Sequence, residues 1–203
     1  MKFTEYVGSQ FGNPRGVFGK LCCMIMNMIN IKIYNGVCSS LDINSSSRIL
    51  EIGYGNGNML NKLYKKSKSE LYGIDISEDM KISASKRNSK GVSDGKIHLE
   101  IGDCCSLQYE DSFFDAVTTV NTIYFWEDTL KGMSEIYRVL KKGGIFSNGI
   151  YSKAWMEKAP YTKNGFKLFY PEEVKQLAQK AGFIDVEIKE IKSQMCYVIN
   201  CRK

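Results

Sequence analysis

Hydrophobic and polar positions follow two periods along this chain, and the periods take turns. Arg48–Gly53 is apolar and closes on glycine, and Asn58–Lys66 then carries Met59, Leu60, Leu63 and Tyr64 at helical spacing. A short apolar run, Leu71–Ile76, precedes a helical stretch, Glu78–Lys86. Ile97, Leu99 and Ile101 alternate with His98 and Glu100, which predicts a half-buried strand. Phe113–Val120 is apolar on both faces, as a central parallel strand requires. Leu130, Met133, Ile136, Val139 and Leu140 stripe one helix, and Lys141-Lys142-Gly143-Gly144 is expected to end it before a strand at Ile145–Tyr151. Pro171 opens a helix through Ala181 that stops at Gly182. Phe183–Ile191 and Gln194–Arg202 are close enough to form an antiparallel hairpin.

Alternating strands and helices predict an α/β fold, a mostly parallel sheet covered on both faces and joined by right-handed crossovers. The hairpin adds an antiparallel finish. Two segments stand outside this order. Residues 1–40 hold a glycine-rich opening, Gln10–Gly16, and a hydrophobic helix to about Tyr34. Phe18, Leu21, Cys22, Ile25, Met28 and Ile29 share one face of that helix, which must be buried. Residues 152–169 form a long connection containing Trp155, Tyr161, Phe166 and Phe169; loops of such length in a compact domain tend to be functional or mobile. The expected organisation is a helical cap over 1–40 and one domain over 41–203, with 152–169 as an inserted substrate loop. Cap and loop are expected to close over a ligand, with Gly12 and Gly16 as hinges beside Arg15, the competing reading being a permanently docked helix that serves as fixed cover.

Composition narrows the class. A chain of 203 residues with 43% hydrophobic and 25% charged residues suits one globular domain. The net charge of +6 does not demand a nucleic-acid partner, and much of the excess base (Lys62, Lys65, Lys66, Lys68, Lys86, Arg87, Lys90) falls on helix faces that water would cover. Seven cysteines without a C-x-x-C, and a single histidine, argue against a metal centre and a disulfide framework; reduced thiols fit a cytoplasmic protein. The apolar stretch Val17–Ile31 is broken by Lys20, Asn27 and Asn30, too short and polar for a membrane span.

Candidate chemistry concentrates in Ile49-Leu50-Glu51-Ile52-Gly53-Tyr54-Gly55-Asn56-Gly57, where a strand gives way to a helix. Three glycines permit a tight turn and close approach to a ligand. A dinucleotide loop would read G-x-G-x-x-G, but here Asn58 stands in the last glycine's place. Glu51 would repel a pyrophosphate and attract a cationic ligand. Asp75, 22 residues after Gly53, lies near the offset of roughly 20 residues expected of a ribose-binding acid.

On these residues the chain resembles the class I S-adenosylmethionine-dependent methyltransferases. The resemblance covers about Arg48 to Lys203. Glu51-x-Gly53-x-Gly55-x-Gly57 matches the first family motif, and Tyr72-Gly73-Ile74-Asp75-Ile76-Ser77 with Met80 the second. Gly102-Asp103-Cys104 matches the third, Phe114–Val117 with Asn121–Trp126 the fourth strand and its exit, and Glu135–Gly144 the helix and turn before the fifth. The resemblance implies seven strands in the order 3-2-1-4-5-7-6. It also implies S-adenosylmethionine held by Glu51, Gly53, Tyr54, Gly55, Asn56, Gly57, Asp75, Ile76, Met80, Gly102, Asp103, Cys104 and Asn121. Asp75 would bind the ribose, Met80 pack near the adenine, and Asp103 accept from the adenine amino group. The fourth-strand exit and the Lys141–Gly144 turn look most like the small-molecule, quinone-type members.

No paired carboxylates or His–Asp dyad mark a general base, so Tyr124 and Tyr6 are the candidates for removing a proton or orienting the acceptor. His98 reads as solvated surface, the Met24, Met26 and Met28 cluster as adaptable packing, and Cys104 and Cys105 as packing rather than nucleophiles. Trp155 and Phe166 fit a substrate site or a glued-down loop equally. The expected reaction is methyl transfer to a small molecule. An RNA methyltransferase, a nicotinamide oxidoreductase and a non-catalytic cofactor-binding protein stay open as alternatives, the first without a basic stripe and the second against the glycine spacing.

Overall fold

The computed structural model describes residues 26, 28–163 and 165–203. Seven strands form one sheet: β1 (Arg48–Ile52), β2 (Glu70–Asp75), β3 (Ile97–Ile101), β4 (Phe114–Val120), β5 (Leu140–Tyr151), β6 (Asp185–Lys192) and β7 (Cys196–Arg202). Their order is β3-β2-β1-β4-β5-β7-β6. The first five pair in parallel, and β7 runs antiparallel to both β5 and β6. The strand order predicted by the resemblance is the one observed.

Helices cover the sheet: α1 (Ile31–Ser40), α2 (Asn58–Ser67), α3 (Glu78–Arg87), α4 (Ser89–Ser93), α5 (Thr129–Val139), α6 (Lys153–Met156) and α7 (Pro171–Lys180). Their starts are written locally. The Asp128 carboxylate accepts from the Lys131 N–H at 3.0 Å to cap α5, and Glu173 reaches back to the Tyr170 N–H at 2.7 Å ahead of Pro171 in α7. The central strand β1 buries Ile49, Leu50 and Ile52, and β4 buries Phe114, Ala116 and Val117, as the two-faced apolar runs require.

Two expectations shift. The N-terminal helix continues past Tyr34 to Ser40. Ile33 and Val37 are fully buried, and a side chain added at Gly149 of β5 would lie 3.2 Å from Val37 Cγ2, so α1 packs closely on the sheet. The rest of the proposed cap, including Tyr6, Gly12, Arg15, Gly16, Phe18, Leu21, Cys22, Ile25 and Met24, lies outside the described residues, and its closure is left to experiment. Second, α5 stops at Val139 and β5 begins at once at Leu140. The Lys141–Gly144 turn is a bulge inside the strand: Leu140 faces Phe114 and Ile145 faces Ala116. The extra residues turn so tightly that a Cβ on Gly144 would lie 2.8 Å from the Lys141 carbonyl. Lys141 itself pairs with Asp115 at 2.6 Å, and Asp115 also accepts from the Arg48 N–H at 2.8 Å. The basic turn thus fastens β5 to β4 and β1 instead of capping the helix.

The connection 152–169 carries its own structure. Ser152 caps α6, a 3-10 turn follows at Pro160–Thr162, and Phe166 packs against Phe125 with ring centroids 4.7 Å apart.

Candidate active site

Three left-handed glycines shape the exit of β1: Gly53 at φ +69°, Gly55 at +51° and Gly57 at +75°. Residues with a Cβ avoid this region. The Gly53 N–H donates to the Ile74 carbonyl at 2.7 Å, which ties the loop to β2. From the far side, Asn88 Nδ2 donates to the Gly57 carbonyl and Arg87 Nε to the Asn56 carbonyl, both at 3.0 Å. The loop is thus held by backbone on one flank and by the end of α3 on the other.

Two carboxylates face this turn. Glu51 sits mid-sheet between Gly73 of β2 and Thr118 of β4 and is 3% exposed. Its Oε2 is buried with no hydrogen-bond partner among the described residues. Burial pushes its carboxyl well above the usual carboxylate range, and the nearby Asp75 charge adds to that; the Leu60 N–H in the first turn of α2 pulls the other way. Asp75 ends β2, accepting from the Gly55 N–H at 2.8 Å and the Ser77 N–H at 3.0 Å. Burial raises its carboxyl too, opposed by the N–H groups of Gly55, Ser77 and Ile76.

One cavity of about 270 Å³ brings most of the predicted residues together at the carboxyl ends of the strands, where ligands of such sheets bind. Glu51, Gly53, Tyr54, Gly55, Asn56, Asp75, Ile76, Gly102, Asp103, Cys104 and Asn121 all line it. Gly57 and Met80 do not. Gly57 faces the helices, where an added Cβ would lie 2.9 Å from Ala84 Cβ, and Met80 is 1% exposed in the core. Their contributions are to the shape of the loop and to packing. Burial pushes the Cys104 thiol up, away from nucleophilic use.

A second cavity of about 70 Å³ adjoins the first and shares Met26, Asn30, Asn121 and Phe125 with it. Tyr124 lines this one, but its hydroxyl is taken. It accepts from the Tyr151 N–H at 2.6 Å and donates to the Tyr151 carbonyl at 2.9 Å. Burial pushes it above the ordinary tyrosine range. Both features weigh against the proton-removing half of its expected role; the orienting half is untouched by them. Tyr6 lies outside the described residues. Of the aromatics in 152–169, Tyr161 and Phe166 line the smaller cavity, whereas Trp155 lines neither and sits between Lys158 and Lys192. His98 stacks on Tyr72 at 4.7 Å and lines neither cavity.

Sequence reasoning missed Asn30, Tyr34, Thr122 and Glu127, all on the larger cavity. Asn30 left a signal. It interrupts an apolar stripe, yet it is 3% exposed, and its Oδ1 accepts from Asn121 Nδ2 at 3.0 Å. Asn121 itself has φ +59°, uncommon for a non-glycine residue.

The arrangement fits S-adenosylmethionine. An orphaned, buried Glu51 oxygen suits a cationic amino group, and a carboxylate at the end of β2 suits ribose hydroxyls. A pyrophosphate would meet both acids.

Comparison with known proteins agrees. The methyltransferase domain family matches residues 50–147. The chain is 31% identical over 190 residues to the uncharacterized methyltransferase YdaC of Bacillus subtilis, covering 88% of this chain and 96% of that one. It is 38% identical over 99 residues to the demethylmenaquinone methyltransferase of Bacteroides fragilis, covering 48% of this chain and 40% of the relative's length. Phosphoethanolamine N-methyltransferase 2 of Haemonchus contortus, solved with S-adenosylmethionine, shares the fold with a TM-score of 0.72 at 20% identity, over 84% of this chain and 52% of that one. No helix among the described residues is long and apolar enough to cross a membrane. With the glycine turn, the two buried acids and the sheet order in place, the chain belongs to the class I S-adenosylmethionine-dependent methyltransferases.

Proposed function

We propose that the larger cavity holds S-adenosylmethionine and that the methyl group passes to a small molecule in the adjoining cavity. The observation that carries this is the unpartnered Glu51 oxygen, 97% buried beside the glycine turn, because an unpaired buried acceptor is costly unless a ligand satisfies it. When bound, the cofactor supplies an already activated methyl on a sulfonium. The chain then binds, orients and excludes water. Glu51 takes the amino group, Asp75 the ribose hydroxyls and Asp103 the adenine amino group, while Gly53 and Gly55 let the backbone come close. Tyr124 fixes the wall between β4 and β5 rather than moving a proton. The relatives named above for a quinone and for phosphoethanolamine support a small-molecule acceptor, as does the confined second cavity. The 1–40 and 152–169 segments would together enclose the acceptor.

Calorimetry with S-adenosylhomocysteine tests the binding half. Asp75→Ala removes a charged hydrogen-bond acceptor, each such bond being worth roughly 1.5–3 kcal/mol, so affinity should fall about tenfold or more. Unchanged affinity in a folded variant would refute the assignment. Incorporation of label from methyl-labelled cofactor into a metabolite extract tests the transfer half, and a chain that binds but never transfers would be a non-catalytic binding protein.

A further inference from the structure

We propose that the smaller cavity selects an uncharged acceptor with an aromatic body and a neutral oxygen near its reacting end, an inference that builds on methyl transfer from the larger cavity.

The walls are rings. Phe166 is the hub, 4.7 Å from Phe125 at 60°, 6.3 Å from Tyr124 at 42° and 6.5 Å from Tyr161 at 61°, measured between centroids. Tilted rings offer both faces and edges, the geometry in which another aromatic ring packs best. Among the described residues no Lys, Arg, His, Asp or Glu side chain lines this cavity. A phosphate or carboxylate placed there would be desolvated without a partner, which is strongly unfavourable. An ammonium would gain from the ring faces. It would find no counter-charge, because Glu51 and Asp75 line only the other cavity. A protonated amine also lacks the lone pair that a nucleophile needs.

Among the described residues, the side-chain amides lie at the junction. Asn30 and Asn121 line both cavities and are at least nine-tenths buried. Asn121 Nδ2 donates to Asn30 Oδ1, a bond that does not draw on the Asn30 NH₂. A neutral hydroxyl or carbonyl can pair with that amide; a full charge would remain unbalanced. Of the nearby hydroxyls, Tyr124 bonds the Tyr151 backbone and lies 3.3 Å from Asn121 Oδ1, and Tyr151 donates to the Ile29 carbonyl at 3.3 Å. Aromatic bulk and amide donors therefore set the selection.

The test uses three probes of similar size, 1-naphthol, 1-naphthyl phosphate and phenyltrimethylammonium, titrated calorimetrically into the full chain with and without S-adenosylhomocysteine. 1-Naphthol should bind at least tenfold tighter than either charged probe. Phe166→Ala should weaken 1-naphthol about tenfold, and Phe166→Lys should reverse the order in favour of 1-naphthyl phosphate. S-adenosylhomocysteine affinity should stay the same in both variants, because Phe166 lines only the smaller cavity. A charged probe that binds wild type as tightly as 1-naphthol overturns the proposal. So does 1-naphthol affinity that ignores both substitutions. Failure of S-adenosylhomocysteine to bind wild type would instead refute the cofactor reading, and the order of the three probes would still decide this one.

Discussion

The two cavities that meet at Asn121 are built from different materials. The larger one leans on backbone: the left-handed glycines Gly53 and Gly55, N–H groups aimed at Asp75, and the buried acids Glu51 and Asp75. The smaller one is made by side chains: five rings drawn from the β4 exit, β5 and the 152–169 connection. Backbone geometry of the first kind admits few residues, because a Cβ at a left-handed turn is strained wherever it points. Ring packing of the second kind admits many, since apolar residues of similar volume exchange at small cost. One side of the molecule is therefore committed to one ligand. The other side is free to vary its selectivity without disturbing the sheet.

The harshest way to break this contrast is to add a side chain to the backbone-built half. Gly53→Val puts a β-branched residue at φ +69°, and its Cβ would collide with the Thr122 side chain. We expect S-adenosylhomocysteine affinity to fall roughly a hundredfold or more, since φ strain alone costs about 1–3 kcal/mol and the displaced loop adds to it. Circular dichroism should still report a folded chain, because the strand before Gly53 is untouched. Binding within threefold of wild type would mean that the turn tolerates side chains and that the contrast is false. Phe166→Ala is the matching change in the other half and should leave the same titration unmoved.

That asymmetry also explains what could be read from the sequence. Glu51, the three glycines and Asp75 were legible because each is required by local chemistry at a fixed spacing. So was the strand order, once the motifs fell in sequence. Met80 is the opposite case: proximity to a motif does not say which way a helical side chain points, and this one is buried in the core. Asn30 could not be assigned because its partner, Asn121, is 91 residues away. The strand that begins at Leu140 was hidden by Gly143 and Gly144, which read as a helix stop and serve as a bulge. Tyr124 was placed at the right exit, but its hydrogen bonds to Tyr151 depend on the pairing of β4 with β5, which no local pattern encodes.

A milder change sharpens the electrostatic side of the comparison. Glu51→Gln keeps the shape and removes the charge. Cofactor affinity should drop about tenfold, in line with roughly 1.5–3 kcal/mol for a hydrogen bond to a charged group. The ligand-free protein should not lose stability, because the buried carboxylate is unpaired at Oε2. The pH dependence follows in sign. The folded carboxyl of Glu51 is raised above its unfolded value of about 4.3, so between those two values the folded state holds more protons. Stability of the ligand-free wild type should fall as pH rises through that window and level off above it. In Glu51→Gln the fall should be shallower, with Asp75, also raised, keeping its share. Melting temperatures across pH 4–8 that fall equally steeply in both proteins would show that Glu51 is not the group responsible.

The smallest expected effect distinguishes a structural Tyr124 from a catalytic one. Tyr124→Phe removes the hydroxyl that bridges the Tyr151 N–H and carbonyl, leaving both buried groups without that partner. The loss should be about 1–3 kcal/mol of stability, seen as a drop of several degrees in melting temperature for a chain of this length. Methyl transfer should slow only severalfold, through a looser wall, and the shape of its pH–rate profile should not change. A general base would behave otherwise. Removing it typically costs about 10²–10⁴ in rate and erases the ionisation it contributes to the profile. A hundredfold loss of kcat with an intact melting temperature would return Tyr124 to the chemistry, and would place a proton-accepting group in the half of the molecule otherwise built for packing alone.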